Sequence, residues 1–337
     1  MNDKLLIAGD VGGTKTDLAV YSASSSLREP LAQKKFHSAD FPSLQAMVSQ
    51  FLASTGQSVT VGAFAVAGPV VDGRVKTTNL PWVMDERTIA QDLKLREVRL
   101  LNDLHAVALA VPILEPRDLL TLNAGTTVPE GAIAVIAPGT GLGESFLTWD
   151  GARYIAHGSE GGHSDFAPTD ARQVRLLQYL QRRWDHVGVE RVCSGIGVPN
   201  IYEFLRDDEK IPEAAEITQA IASAADRTQA IVEAATDPKN PSPRCQATVE
   251  ILTSILASEA GNLALKVFAT GGVYLAGGVA LHLLDELKTS RFLESFTRKG
   301  RFKELMGRIP LHVITARAAL GGAATNGLEL LRNEATR

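Results

Sequence analysis

Three observations predict an α/β protein of two units. Short apolar runs suited to strands alternate with longer segments whose apolar residues recur every three or four positions. The plan begins at Leu5 and starts again at Ile133, a repeat of architecture rather than of residues. At both places an apolar run breaks at a glycine loop, "GDVGGTK" in the first and "PGTGLGES" in the second, and then resumes. A chain of 337 residues, 45% hydrophobic, has the length and apolar content for two cores, and two units imply a cleft.

In order, Leu5–Ala8 and Leu18–Tyr21 read as paired strands and Leu31–Phe36 as a third, while Leu44, Met47, Val48, Phe51 and Leu52 mark one face of a helix. Val61–Val66 is apolar almost throughout, as a strand covered on both faces would be, and Val70–Val75 turns at Asp72-Gly73 as a hairpin. Val98–Leu101 is a further strand, ended by Asn102-Asp103, and Leu104–Val111 reads as a helix stopped by Pro112. The second unit opens with strand Ile133–Ile136, the loop at 138–145 and strand Phe146–Trp149. Its middle is helical over 171–186, 196–206, 212–236 and about 246–268, with the polar loop "DPKNPSP" at 237–243. "VYLAGGVALHLLDEL" gives a buried strand, a Gly-Gly turn and a helix, and residues 317–332 form a last helix rich in small residues.

The formal charge of −4 and the lack of a basic run leave no footprint for a nucleic-acid backbone, so small molecules are the expected partners. Cys193 and Cys245 fit neither a disulfide framework nor paired zinc-ligand spacing, which points to a reducing compartment. Residues 267–284 are uncharged and long enough to raise a membrane span, but Gly271, Gly272, Gly277, Gly278 and His282 read better as strand, turn and helix. The apolar stretch between Asp3 and Asp10 is too short for the core of a secretory signal, and the expected location is the cytoplasm.

Glycine lets a ligand approach the main chain, consecutive amides can point at an anion, and hydroxyls such as Thr14 and Thr140 add donors. Phosphate is the guest these features suit. Asp10 would repel a phosphate, so it makes sense holding magnesium through water. A single Gly-Gly could serve only a tight hairpin, but "AGGV" at 276–279 is a third glycine-rich turn at a strand end. Two familiar motifs fail: Thr14 stands where a P-loop needs glycine before its lysine, and Glu144 stands where a dinucleotide fingerprint needs its last glycine.

"RLLND" puts Asp103 past the end of a strand, where open α/β sheets present catalytic groups; Asn102-Asp103 also reads as a helix cap, and both readings stay open. "HGSEGGHSDF" gathers His157, Glu160, His163 and Asp165 around a Gly-Gly pair, a set suited to a polyhydroxyl ligand. His157, Glu160 and His163 lack the helical metal-binding spacing, and His163, Ser164 and Asp165 are chain neighbours that cannot converge as a serine triad. Glu190 in "VGVERVCSG" alone would be an ordinary surface acid.

Taken in this order and spacing, "GDVGGTK", "LND", "GTGLG", "EGGHSDFAP", "ERVCSG", "YLAGGV" and "RKGRF" resemble the bacterial glucokinases of the hexokinase group, within the superfamily of sugar kinases, heat-shock ATPases and actin. The resemblance runs across nearly the whole chain. It implies two ribonuclease-H-like domains around a central cleft: a small one over 1–113 joined by the C-terminal helix at about 317–335, and a large one over 114–316. It implies ATP-dependent phosphorylation of glucose at the 6-hydroxyl, with Asp103 as general base and Asn102, Glu160, His163 and Glu190 as ligands of the other hydroxyls. Nucleotide contacts fall to Asp10, Val11, Gly12, Gly13, Thr14 and Lys15, to Gly139, Thr140 and Gly141, and to Gly277 and Gly278, with magnesium beside Asp10. Lys15 and Asp17 depart from the Asn and Arg common in this group and are closer to the ROK kinases, whose three-cysteine zinc motif is absent, so no structural zinc is expected. A homodimer is implied. The rival readings are a kinase for mannose, fructose or an N-acetylhexosamine, and a sugar-responsive regulator without catalysis.

Overall fold

The computed structural model describes residues 4–77, 80–239 and 242–332. Its contacts divide into two compact units: one runs to Asp118 and takes in Tyr154–Ala156 and the chain from Ala316, the other holds Leu119–Arg153 and His157–Thr315.

In the first unit, β1 (Leu5–Val11), β2 (Lys15–Ser22) and β3 (Ala32–His37) form an antiparallel meander, and α1 (Leu44–Thr55) leads to β4 (Val61–Val66), parallel to β1. The small pair β5 (Arg74–Lys76) and β6 (Val83–Asp85) and helix α2 (Glu86–Asp92) precede β7 (Glu97–Asn102), parallel to β4. The sheet order is β3-β2-β1-β4-β7, and α3 (Asp103–Ala110) leaves β7 directly. Alternation along the strands splits the side chains between two cores. Ile7, Val11, Leu18, Phe64 and Val66 meet Leu44, Met47, Val48 and Phe51 of α1 on one face. Leu6, Ala8, Ala19, Ala63 and Ala65 meet α3 and the C-terminal helix, Ala318–Arg332, on the other. Residues 333–335 of the helix expected to 335 lie outside the described residues.

The second unit contains β8 (Leu119–Asn123), β9 (Ile133–Pro138), β10 (Leu142–Trp149) and the end of β11 (Tyr154–Ser159), whose first three residues group with the first unit, then α4 (Ala171–Leu180), α5 (Gly197–Asp207), α6 (Ala215–Ser223), α7 (Arg227–Thr236) and α8 (Pro243–Val267). It closes with β12 (Gly272–Leu275), α9 (Gly278–His282), α10 (Leu284–Leu287), α11 (Ser290–Thr297), α12 (Lys303–Arg308) and β13 (Leu311–Ile314), after which the C-terminal helix becomes α13. The sheet runs β11-β10-β9-β12-β13-β8, with β10 antiparallel and β12 parallel to β9. Its first five strands reproduce the order of the first sheet: a meander, then two parallel strands. This is the ribonuclease-H-like plan of the actin-like ATPase fold, present twice.

Element ends shift from expectation for local reasons. Pairing of Leu142 with Pro138 starts β10 four residues before the expected Phe146, because the hairpin holds up to a loop of only Gly139–Gly141. The helix expected over 212–236 breaks into α6 and α7, where the Asp226 carboxylate accepts from the Gln229 amide and caps a new start. α4 stops at Leu180, short of 186. Pro243, read as loop, is the first residue of α8, a position where proline's missing N–H costs nothing, and Ser242 caps it; residues 240 and 241 of that loop lie outside the described residues. Among the described residues no helix is long and apolar enough to cross a membrane.

A backbone-to-backbone helix contact in the first unit lies at Gly322 of α13, where a Cβ would overlap the Ala106 carbonyl of α3. Gly322→Ala is expected to lower the unfolding free energy by about 2 kcal/mol or more, read by urea denaturation; unchanged stability would mean the two helices are not packed backbone to backbone.

Candidate active site

The hairpin tip between β1 and β2 is built around Ser38, which follows β3. The Gly12 amide donates to the Lys15 carbonyl at 3.1 Å and the Ser38 amide to the Thr14 carbonyl at 2.9 Å. The Ser38 hydroxyl donates to the Gly12 carbonyl at 2.8 Å and lies 3.0 Å from the Thr16 hydroxyl, both hydroxyl residues being fully buried. Ser38 belongs to no motif, so nothing in the sequence marked it as the brace of this loop. The Val11 side chain is in the core and offers a ligand only its backbone, whereas Thr14 and Lys15 are exposed.

Asp10 lies on β1 opposite Asp17 of β2. Burial, then the charges of Asp103 and Asp17, push its pKa up to about 6, while Arg317, just before α13, pulls the other way. Asp17, one of the departures noted in the sequence, accepts two hydrogen bonds from Gln33 at 3.0 and 3.1 Å. Asp103 is the first residue of α3 and is exposed as a residue. Desolvation nevertheless raises its pKa, opposed by hydrogen bonds from the Leu104 amide, its own amide and the Asn102 side chain. A carboxylate with a raised pKa is a better proton acceptor. Asn102 caps α3 by accepting from the Leu104 and His105 amides, and its amide group donates to the Gly68 carbonyl at 3.1 Å. The cap is therefore Asn102, and Asp103 is held beside it.

A dication would relieve the excess charge of Asp10, Asp17 and Asp103. Among the described residues no three His, Cys, Asp or Glu side chains converge to cage a metal directly. The arrangement fits magnesium, which keeps waters and takes one or two carboxylates with substrate phosphates.

In the second unit, the loop between β9 and β10 closes through the Gly139 amide on the Gly141 carbonyl, and the Gly195 and Ile196 amides donate to the Gly139 and Thr140 carbonyls. Gly277, at φ +87°, approaches the end of β9 so closely that a Cβ would lie 2.6 Å from the Pro138 carbonyl oxygen. Gly139 and Gly278 differ: neither has positive φ, and apart from the adjoining stretch of chain no described atom lies within 4 Å of where a Cβ would stand. Both line a cavity of about 540 Å³ with Thr140, Ile196, Gln229, Glu233 and His282 among its other walls. The α7 residues Gln229 and Glu233, hydrogen-bonded to each other at 2.7 Å, belong to no motif, so nothing in the sequence marks them as walls of this cavity.

The turn Gly161–His163 presses onto β10, and a Cβ on Gly162 would overlap the Leu142 carbonyl, so the glycine pair there serves close approach. His163 stands between two acids, with Nδ1 3.4 Å from Glu190 and Nε2 3.8 Å from Glu160. Glu160 and His163 are 85% and 63% exposed, but Glu190 is 17% exposed and packs against the phosphate loop, its carboxylate 2.8 Å from where a Gly141 Cβ would be. Glu190 is thus no ordinary surface acid. His157 turns elsewhere, stacking on Phe146 and meeting the Thr148 hydroxyl at 2.8 Å.

The family profile described as Glucokinase matches residues 7–329. A glucokinase of Nostoc sp. is 41% identical over 335 residues, 95% of this chain and 98% of that protein. The crystal structure of a glucokinase from an Antarctic psychrotroph superposes with TM-score 0.82 at 29% identity, covering 97% of this chain and 99% of that one. A ROK family glucokinase from Streptomyces griseus, solved with glucose and AMPPNP, shares the fold at TM-score 0.63 and 20% identity, covering 96% of this chain and 99% of that one.

Two outcomes follow from this geometry. Gly139→Val and Gly278→Val should each leave stability within about 1 kcal/mol while weakening ATP binding at least about tenfold, measured by calorimetry. Asp10→Asn should stabilise the protein free of magnesium and nucleotide. A raised folded pKa means the native state holds the proton more tightly than the unfolded chain, so the Asp10 contribution favours folding at low pH and is lost as pH rises from 3.8 through about 6. The gain should be on the order of 2 kcal/mol at pH 8 and vanish near pH 4, compared by denaturation of both proteins.

Proposed function

The chain belongs to the glucokinase family, and from that premise we infer that it transfers the terminal phosphoryl group of ATP to the 6-hydroxyl of glucose, giving glucose 6-phosphate and ADP. The observation that carries the nucleotide half is the cavity walled by Gly139, Thr140 and Gly278, where side chains are missing although the protein itself has room for them.

Phosphoryl transfer runs through a loose transition state, so alignment and charge compensation matter more than covalent chemistry. Amides of Gly12, Gly13, Gly139 and Gly141 and the hydroxyls of Thr14 and Thr140 receive the phosphates, with Lys15 at the rim. Gly277 shapes the turn that leaves Gly278 bare for the nucleoside. Asp10 would hold magnesium through water, and the ion would supply positive charge that offsets that of the phosphates. Asp103 takes the proton of the 6-hydroxyl. Its raised pKa suits that task, and the Leu104 amide and Asn102 keep the carboxylate oriented. Asn102 shares its amide with a neighbouring hydroxyl, and Glu160, His163 and Glu190 accept or donate at the rest of the ring. Glu190, held against the phosphate loop, ties sugar position to phosphate position. The reading includes a cytoplasmic homodimer.

Release of ADP with ATP and magnesium across glucose, mannose, fructose and N-acetylglucosamine tests the assignment, with glucose giving the highest kcat/KM. Asp103→Ala should lose about 10²- to 10⁴-fold in kcat while glucose still binds. Glu160→Gln and Glu190→Gln should chiefly raise the glucose KM. Near-normal turnover in the first variant, or unchanged KM in both of the others, would remove those residues from the assigned roles.

A further inference from the structure

Glu144, the third residue of β10, has no part in the roles above, yet it is buried at 2% exposure and its Oε1 finds no hydrogen-bond partner among the described residues. Its Oε2 lies directly under the sugar turn: a Cβ added to Gly161 would overlap it. A polar layer continues inward to α8. Glu259, also buried, accepts from Asn262 Nδ2 at 2.9 Å and has Lys266 Nζ 3.5 Å from its other oxygen. Asn262 Oδ1 in turn accepts from Lys299 Nζ at 2.6 Å, the lysine of the "RKGRF" run, which none of the roles above employs.

We propose that Glu144 is a positioning residue for sugar binding: the Gly161-Gly162 turn rests on its carboxyl, which thereby sets where Glu160 and His163 meet the sugar. This rests on the kinase reading above. An unpartnered polar oxygen in a packed interior is costly, and far more so when charged. The site therefore favours a neutral acid, and only a glycine permits the turn to lie so close to it.

Burial, then the charge of Glu259, push the Glu144 pKa up to about 7, with Lys266 acting the other way. The groups facing it are Glu259 and Lys266 from α8, Lys299 behind Asn262, and fully buried Cys193 after Glu190, whose thiol pKa the two carboxylates help to raise. On the turn itself are Glu160 and His163, both open to solvent. Below the pKa, Glu144 is neutral and the turn sits flat on it. Above it, the group becomes a buried anion facing a second one, and the turn must lift for water to reach it.

The test compares the unaltered protein, Glu144→Gln and Glu144→Ala in steady-state kinetics from pH 6 to about 8.5, a range bracketing that transition. The glucose KM of the unaltered protein should rise severalfold across the range, with the ATP KM and kcat moving less. Glu144→Gln, neutral throughout and of the same shape, should match it at pH 6 and stay flat. Glu144→Ala should raise the glucose KM about tenfold at every pH with kcat within a few-fold; if that variant fails to fold, the comparison with Glu144→Gln decides. Superimposable KM profiles for Glu144→Gln and the unaltered protein, with turnover intact, overturn the proposal alone. Absence of glucose-dependent ADP release by the unaltered protein overturns the kinase reading and the proposal with it.

Discussion

Contact of main chain with main chain, possible only where a side chain is missing, is the constraint on which both units depend. In the first, Gly322 lets α13 lie on the Ala106 carbonyl of α3. In the second, Gly277 and Gly162 bring a turn against the ends of β9 and β10, at the Pro138 and Leu142 carbonyls. Protein interiors are packed at crystal density, so a methyl group at any of these points displaces an element rather than filling a gap. Gly139 and Gly278 stand apart because the protein leaves the space beside them open. The same residue type thus serves two purposes, and only the surroundings tell them apart.

The carboxylates follow a second common rule. Asp10 and Glu144, in different units, are held where burial opposes charge, and each has another acid near it that strengthens the effect. In neither case does a basic partner cancel the shift: Arg317 and Lys266 act on them only against larger opposing causes. Stability alone would not retain such arrangements, since an apolar or amide residue would cost less. They are places where burial opposes folding locally, a pattern common at functional sites.

Much of this was legible in the sequence because it follows from short-range rules. Val61–Val66 was readable as a doubly covered strand from its unbroken apolar run, and the structure gives that strand the same bounds. Restarting of the plan at Ile133 was visible from strand and loop spacing, and the matching strand orders give it physical form. Helix breaks inside polar alanine-rich sequence were not legible, since the stop between α6 and α7 depends on one capping aspartate among several plausible acids. Nor could the sequence reveal Ser38 as the brace of the first glycine loop, Gln229 as a wall of the cavity beside the second, or Glu144 as the residue under the Gly161-Gly162 turn. Each reaches its place through tertiary packing, and Glu144 had registered only as a residue that spoiled a dinucleotide motif.

The order of the chain also constrains how the protein is made. One face of the first sheet, with Leu6, Ala8, Ala63 and Ala65, is covered by α3 and by α13, and α13 follows the second unit in the chain. Until α13 has been made, part of that apolar face lacks its cover, although the strands and α1 are complete well before. A sheet face whose cover comes from so far along the chain is open to mis-association while the protein is being made.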